Sequence, residues 1–385
     1  MTKAVSILGS TGSIGRQTLD VAEKLNIPVV ALTCGTSLDR MEEQCRKYRP
    51  LLAVVATKEL EQELRRRLAD LSIDIRSGEE GLIHAASMEE ADTVITAVVG
   101  MMGLKPTLAA CRAGKRIGLA NKETMVCAGE LVQAEARKYG AEIIPVDSEH
   151  SAIFQCLMGI RDRSEVKRLI LTASGGAFYG KSREELALAR KEEALKHPNW
   201  KMGPKITIDC ATMLNKGLEL IEAMRLYEMP EDQISIVIHR QSIIHSMVEY
   251  CDGAVMAQMG VPDMRLPIQL ALTYPARVES PAAGLDLLTC GPLTFAQPDP
   301  ETFPCLALAR QAAKQGGSSC VVLNGANEEA VAAYLADRIG FYDISDSIAC
   351  ALDRVPFVEA PDLEQVLDAD RQSRQVVRDY FASRI

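Results

Sequence analysis

The sequence predicts an α/β protein built from an N-terminal doubly wound parallel sheet, a central α/β domain and a small C-terminal helical bundle. Three observations predict it. Up to residue 146, short apolar β-rich runs alternate with polar helix-forming stretches, the pattern of βαβ units. A glycine-rich turn follows the first of these runs directly, where a strand hands over to a helix. From residue 305 onward the chain is helix-forming and rich in alanine.

The elements follow in chain order. The expected strands of the first domain are 4–8, 28–33, 52–56, 93–99, 117–119 and 142–146, with helical stretches such as 39–48 and 58–71 between them. From 147 to 274 the pattern is mixed, with expected strands at 168–173, 234–239 and 254–259. Within it, 174–204 opens with three glycines and carries Ser182 and Glu185 at the spacing of a capping box, so it is expected to be a mobile segment over a site. Residues 275–304, rich in Pro and Gly, read as a linker, and 305–385 as the bundle.

A chain of 385 residues exceeds one core, which agrees with several domains. The net charge of −9 excludes a global field for nucleic acid or anionic membrane, so any phosphate must be held locally. Eleven cysteines, an odd number without a CxxC pair, point to free thiols in a reducing cytoplasm. No apolar run approaches the roughly 18 residues of a membrane span, and the N-terminus lacks the apolar region of a signal peptide.

Gly9-Ser-Thr-Gly-Ser-Ile-Gly15 lies between an expected strand and an expected helix. Glycines permit close backbone approach, and a helix N-terminus offers free N–H groups, so this loop is a candidate to hold a pyrophosphate. The spacing is GxxGxxG, and a tight structural turn is the alternative. At the tip of the second strand, where an NAD enzyme places an acid, stand Cys34, Gly35, Thr36 and Ser37, with Arg40 nearby. Hydroxyls and a cation there favour a 2′-phosphate, hence NADPH, although Asp39 is close.

Asp147 and Glu149 follow the expected strand 142–146; on an extended backbone both point to one side. Two converging carboxylates repel unless a cation joins them, and a hard divalent ion suits oxygen donors. A solvated strand end is the alternative. Further on, Asn215 and Glu219 share a helix face beside Lys216, a set able to hold a phosphate and complete a metal shell, or simply to be surface polars. His197 and Trp200, the single tryptophan, end the glycine-rich segment, where a Trp can close over a ligand or merely pack. His84, His239 and His245 lie in runs that read as fold elements.

In order, GSTGSIG (9–15), LANKE (119–123), VDSEH (146–150), ASGG (173–176), HPNWKMG (197–203) and DCATMLNKGLE (209–219) resemble the 1-deoxy-D-xylulose 5-phosphate reductoisomerase family along nearly the whole chain. The resemblance implies NADPH-dependent conversion of 1-deoxy-D-xylulose 5-phosphate to 2-C-methyl-D-erythritol 4-phosphate in non-mevalonate isoprenoid synthesis, with Mn2+, Mg2+ or Co2+, by a homodimer that fosmidomycin blocks. By motif it implies Asp147, Glu149 and Glu219 as metal ligands and Lys122 beside the reacting oxygens. Ser148, Ser174, His197, Cys210, Asn215 and Lys216 would contact substrate, with Trp200 and Met202 in the lid. Thr11, Gly12, Ser13 and Ile14 would hold the pyrophosphate of the cofactor, and Asn121, Glu123 and Gly203 would reach other parts of it with Gly35, Thr36 and Ser37. The domains become an NADPH-binding domain at 1–146, a catalytic and dimerisation domain at 147–274, the linker and the bundle. Cys210 stands where the family has serine, Thr36-Ser37 where a Lys-Asn pair is common, and Arg240 where a proline is usual. The rivals are a plain NADP-dependent dehydrogenase, which needs no carboxylate triad, and a non-enzymatic dinucleotide sensor.

Overall fold

A computed structural model describes residues 2–384, which gather into two compact units. The first holds the chain up to Thr124, Val132–Ser151 and Asp263–Gly284. The second holds Met125–Leu131, Ala152–Pro262 and the chain from Leu285 on.

The first unit is built on a parallel sheet of β1 (Val5–Leu8), β2 (Val29–Thr33), β3 (Leu52–Val55), β4 (Asp74–Ser77), β5 (Thr93–Thr96), β6 (Arg116–Leu119) and β7 (Glu142–Pro145). Its order is β4-β3-β2-β1-β5-β6-β7, so the winding reverses between β1 and β5. β1, β3 and β5 are buried along their whole length, as unbroken apolar runs flanked by helices must be. β4 escaped the sequence reading because Asp-Ile-Arg-Ser is short and polar; it pairs only with β3, at the sheet edge.

The expected boundary at 274/275 is displaced. The helix Arg265–Thr273 belongs to the first unit, where Thr2 donates from N and Oγ1 to the Leu272 carbonyl at 3.0 and 2.7 Å. Its residues from Pro267 to Thr273 are buried, and Ala271 faces Gly118 of β6. An apolar helix face returns to the sheet that can cover it, whatever its place in the chain.

The second unit contains β8 (Val166–Ala173), β9 (Ile234–Ile238), β10 (Ile244–Tyr250) and β11 (Val255–Met259) in the order β11-β10-β8-β9. β10 was also unanticipated: His245, Ser246 and Glu249 break its apolar pattern, yet all three are buried. Helices Pro304–Gln315, Ser319–Leu335, Phe341–Arg354 and Leu363–Ala382 form the expected bundle. The bundle shares its compact unit with the sheet instead of standing apart, because the helix Leu214–Tyr227 packs closely on it, Gly217 lying against Ala309. The expected linker ends in contact with that sheet, Ala296 exchanging backbone bonds with Ile238 at 2.8 and 3.0 Å. Among the described residues, no helix is long and apolar enough to cross a membrane.

Gly15 tests the loop after β1. A Cβ there would lie 2.3 Å from the Gly9 carbonyl oxygen and 2.4 Å from Ser10 Cα, both backbone atoms that cannot swing aside. At Gly12 it would lie 3.3 Å from the Gly9 oxygen. Gly15→Ala is expected to lower the unfolding free energy by about 1–3 kcal/mol, and Gly12→Ala by clearly less, as measured by denaturant titration.

Candidate active site

The glycine turn lies at the reversal point of the first sheet, where doubly wound folds bind their ligands. Gly9 adopts φ +87°, and a Cβ there would lie 2.5 Å from the Ala97 carbonyl oxygen at the end of β5. The helix Ser13–Lys24 follows with Gly12 at its N-cap and no side chain capping it. The first-turn N–H groups of Ser13 and Ile14, with Thr11 before them, have the arrangement that can receive an anion.

At the tip of β2, Gly35, Thr36 and Ser37 are exposed, and Ser37 begins the helix Leu38–Tyr48. Asp39, the acid that clouded the cofactor assignment, is held by Arg67 Nη1 at 2.6 Å, and Arg67 also binds Glu63 at 2.8 Å. The pair turns Asp39 toward the neighbouring helix, although its side chain stays exposed. The Asn121 amide donates to the carbonyls of Val98 and Gly100 at 2.9 and 3.1 Å and to Glu123 at 3.0 Å. Its side chain thus fastens the loop after β5 rather than projecting outward.

Lys122 opens the helix Lys122–Tyr139, and its Nζ donates to Asp147 Oδ2 at 2.7 Å; both side chains are about nine-tenths buried. The backbone through 147–149 corrects the sequence reading. It is not extended: a helix runs from Ser148 to Cys156, and Asp147 Oδ1 accepts the Glu149 N–H at 3.1 Å, as an N-cap does. Ser148 Oγ donates to Glu149 Oε2 at 2.6 Å. The two carboxylates still sit together, now at a helix N-terminus, whose partial positive charge favours them. Their donor set is all oxygen and anionic, which fits a hard divalent ion.

In the second unit, the helix Pro204–Ala211 follows Gly203, and a left-handed Met213 (φ +62°) redirects the chain into Leu214–Tyr227. On that second helix Asn215 Nδ2 donates to Glu219 Oε1 at 2.5 Å and Lys216 pairs with Glu219 Oε2. All three are buried, so they are no surface polars. Cys210, half-buried, packs its carbonyl against Gly176, where a Cβ would lie 2.3 Å from that oxygen. Asp209, which the sequence reading did not single out, is buried between Lys205 (2.9 Å) and Asn327 Nδ2 (2.8 Å).

His197 Nε2 and Ser174 Oγ are 2.9 Å apart, while Nδ1 accepts the N–H of Asn199 at 3.3 Å and of Trp200 at 3.0 Å. Burial and then the Arg240 charge push His197 down to about 4. Trp200 lies 6.1 Å from the His245 ring, ring centre to ring centre, and Met202 is half-buried beside Gly203. The segment 174–204 also shows the expected capping box at Ser182 and Glu185. Its middle is anchored on the bundle through Phe178 on Phe341, with Leu186 and Ala194 fully buried. Arg240, Asn199 and Ser242 hold its two ends; in the sequence Arg240 stands out only as a departure from the family pattern and Asn199 only as part of HPNWKMG, and the contacts themselves span dozens of residues and have no local signal.

The first unit thus gathers Thr11–Ile14, Gly35–Ser37, Asn121–Glu123 and Asp147–Glu149, and the second gathers Ser174, His197, Trp200, Met202, Gly203, Cys210, Asn215, Lys216 and Glu219. Comparison with known proteins agrees with this distribution of motifs. The family model of 1-deoxy-D-xylulose 5-phosphate reductoisomerase matches residues 5–129, and models of its C-terminal domains match 143–227 and 259–376. Proteins of that name from Ruminiclostridium cellulolyticum and Geobacillus sp. are 50% and 52% identical, over 98% of this chain and 99% of theirs. A crystal structure of DOX-P reductoisomerase with NADPH, fosmidomycin and magnesium is similar at TM-score 0.95 and 44% identity, over 99% of this chain and 98% of that one. The reductoisomerase of Zymomonas mobilis in complex with NADPH is similar at TM-score 0.92 and 43% identity, over 99% of each chain. The chain belongs to the 1-deoxy-D-xylulose 5-phosphate reductoisomerase family.

Proposed function

We propose that this chain is an NADP-dependent oxidoreductase that rearranges 1-deoxy-D-xylulose 5-phosphate and reduces the product to 2-C-methyl-D-erythritol 4-phosphate in non-mevalonate isoprenoid synthesis. The observation that carries the reading is that one chain of this family holds the glycine cradle, the Lys122–Asp147 pair beside Glu149, and the buried Asn215–Lys216–Glu219 set. NADPH supplies the hydride, and a divalent ion (Mn2+, Mg2+ or Co2+) supplies Lewis acidity toward the substrate's ketone and hydroxyl oxygens.

The chain's own residues bind and orient. Asp147, Glu149 and Glu219 are proposed as the metal's oxygen ligands, and the donor chemistry fits. Lys122, fixed on Asp147, sets a cation where negative charge builds on a substrate oxygen, and Ser148 contacts the substrate beside it. Ser174, His197, Asn215 and Lys216 receive the phosphate. Cys210 adds little to them, since a thiol is a weak donor. Trp200 and Met202 exclude water from above. Thr11 to Ile14 cradle the pyrophosphate, Gly35, Thr36 and Ser37 take the 2′-phosphate, and Asn121, Glu123 and Gly203 bound the rest of the cofactor. Since residues 178–194 are packed on the bundle, lid motion is proposed to centre on 195–203.

The assembly is proposed to be a homodimer. β11 ends its sheet with Val255 and Met256 about half exposed, an apolar edge that a second copy would cover. A cytoplasmic location agrees with eleven free cysteines, and the net charge of −9 argues against nucleic acid as a partner.

Nicotinamide absorbance with substrate, NADPH and Mn2+ tests the reading: turnover is expected, and chelator should abolish it. A protein that binds NADPH but does not turn over would be the dinucleotide sensor. Glu219→Gln keeps the size of the side chain and removes its charge, so kcat/KM should fall by about a thousand-fold or more, and the thermal midpoint should drop as Lys216 loses its buried partner while the circular dichroism at 25 °C stays that of the folded chain; near-normal turnover in saturating Mn2+ would remove Glu219 from the ligand set. NADPH should be preferred over NADH, and equal kcat/KM for the two would defeat the assignment of Thr36 and Ser37. Cys210→Ser should keep full kcat and lower KM slightly, because a hydroxyl adds part of the roughly 1.5–3 kcal/mol of a charge-assisted bond; lost activity would reveal another role for the thiol.

A further inference from the structure

We propose that Arg240 is a positioning residue of the phosphate site: its guanidinium holds the Ser174–Gly176 loop and His197 in the arrangement that leaves the Ser174 hydroxyl proton to the substrate phosphate. The proposal rests on the reading of Ser174 and His197 as phosphate contacts.

Arg240 lies in the turn between β9 and β10. Its Nη1 donates to the Ser174 carbonyl at 2.5 Å and to the Gly176 carbonyl at 2.8 Å. The guanidinium rests on the Tyr179 ring, 5.0 Å from its centre. The same turn grips the far end of the segment, Asn199 Nδ2 donating to the Arg240 carbonyl at 2.6 Å and to Ser242 Oγ at 2.8 Å. One short turn therefore clasps both ends of 174–204. Between the clasped carbonyls the chain runs through left-handed Gly175 and Gly176 (φ +75° and +66°), and the Cys210 carbonyl leaves no space for a Cβ at Gly176. The loop is wedged from one side and pulled from the other.

The proton inventory follows from the bonds. His197 Nδ1 accepts two backbone N–H groups, so the ring proton resides on Nε2 and is donated to Ser174 Oγ. Ser174 Oγ accepts the Gly176 N–H as well, at 3.2 Å. With both lone pairs of Oγ engaged, its own proton is the remaining function, a donor for an anionic oxygen. A second proton on His197 would occupy Nδ1 and break the bonds to Asn199 and Trp200. A phosphate dianion beside the ring would invite that proton; the Arg240 charge opposes it. Around the imidazole stand the Ser174 hydroxyl at the end of β8, the Asn199 and Trp200 amides of its own turn, and Arg240, which carries Tyr179 on its face.

The test compares Arg240→Met, Arg240→Gln and Arg240→Lys in the full chain. Two quantities are read: the titration midpoint of the His197 ring by NMR without substrate, and steady-state kcat and KM for 1-deoxy-D-xylulose 5-phosphate. The neutral variants are expected to raise the His197 midpoint from about 4 and to raise KM about ten-fold with kcat within about three-fold. Arg240→Lys should restore the midpoint and most of KM. An unmoved midpoint, an unmoved KM, or a KM raised equally in the lysine variant would each overturn the proposal. Ser174→Ala separates the two levels: if it leaves KM unchanged, the phosphate assignment of Ser174 has failed, while the His197 titration still reports on Arg240.

Discussion

Lysine ammonium groups paired with carboxylates under cover of the protein govern the residues around them. Lys122 meets Asp147 at 2.7 Å, Lys216 and Asn215 close on Glu219, and Lys205 and Asn327 share Asp209. Removing one member of a buried pair leaves a charge that costs about 3–5 kcal/mol, so these groups come as sets. Their demand for partners explains why charge-bearing side chains sit at the opening of the helix after β6, at the end of β7 and along a helix face that would otherwise be apolar. It also makes each pair a reservoir: a carboxylate already neutralised by a lysine can be shared with a cation, and the lysine with an anion.

The backbone accepts strain to supply these positions. Met213, with a buried side chain, adopts a left-handed conformation that costs of the order of 1–3 kcal/mol. Through it the helix bearing Cys210 passes directly into the helix bearing Asn215, Lys216 and Glu219. Glycine supplies the sharper turns. Gly9 passes the Ala97 carbonyl at a distance no side chain permits, and Gly176 does the same at the Cys210 carbonyl. Both loops present N–H groups or hydroxyls rather than side-chain bulk, as an anion-binding surface requires.

Much of this was legible from residue order alone. The apolar runs of β1, β2, β3 and β5 are continuous because both faces of a parallel sheet are covered, and that pattern survives without coordinates. The capping box at Ser182 and Glu185 and the i, i+4 relation of Asn215 and Glu219 are local, so spacing alone revealed them. β4 and β10 were hidden by their polar residues: in one the polarity reflects an edge position, in the other it is buried, with Glu249 held by Lys167 and Arg168 of β8. The conformation of 147–149 was misread because an extended strand and a helix N-cap can both bring Asp147 and Glu149 together, and only the Asp147 cap on the Glu149 amide distinguishes them.

By itself, then, the sequence determined the α/β class, the family, the glycine cradle and the identity of the acids, lysines and hydroxyls available for chemistry, because these depend on neighbours within a turn or a strand. The tertiary structure decided how those groups are spent. It paired Asp39 with Arg67, 28 residues away. It returned the helix Arg265–Thr273 to the first sheet. It brought Arg240 onto the carbonyls of Ser174 and Gly176, more than sixty residues earlier. Contacts at such separations follow from packing, where a charge or an apolar face takes whichever partner the fold brings within reach, and no periodicity in the chain encodes them.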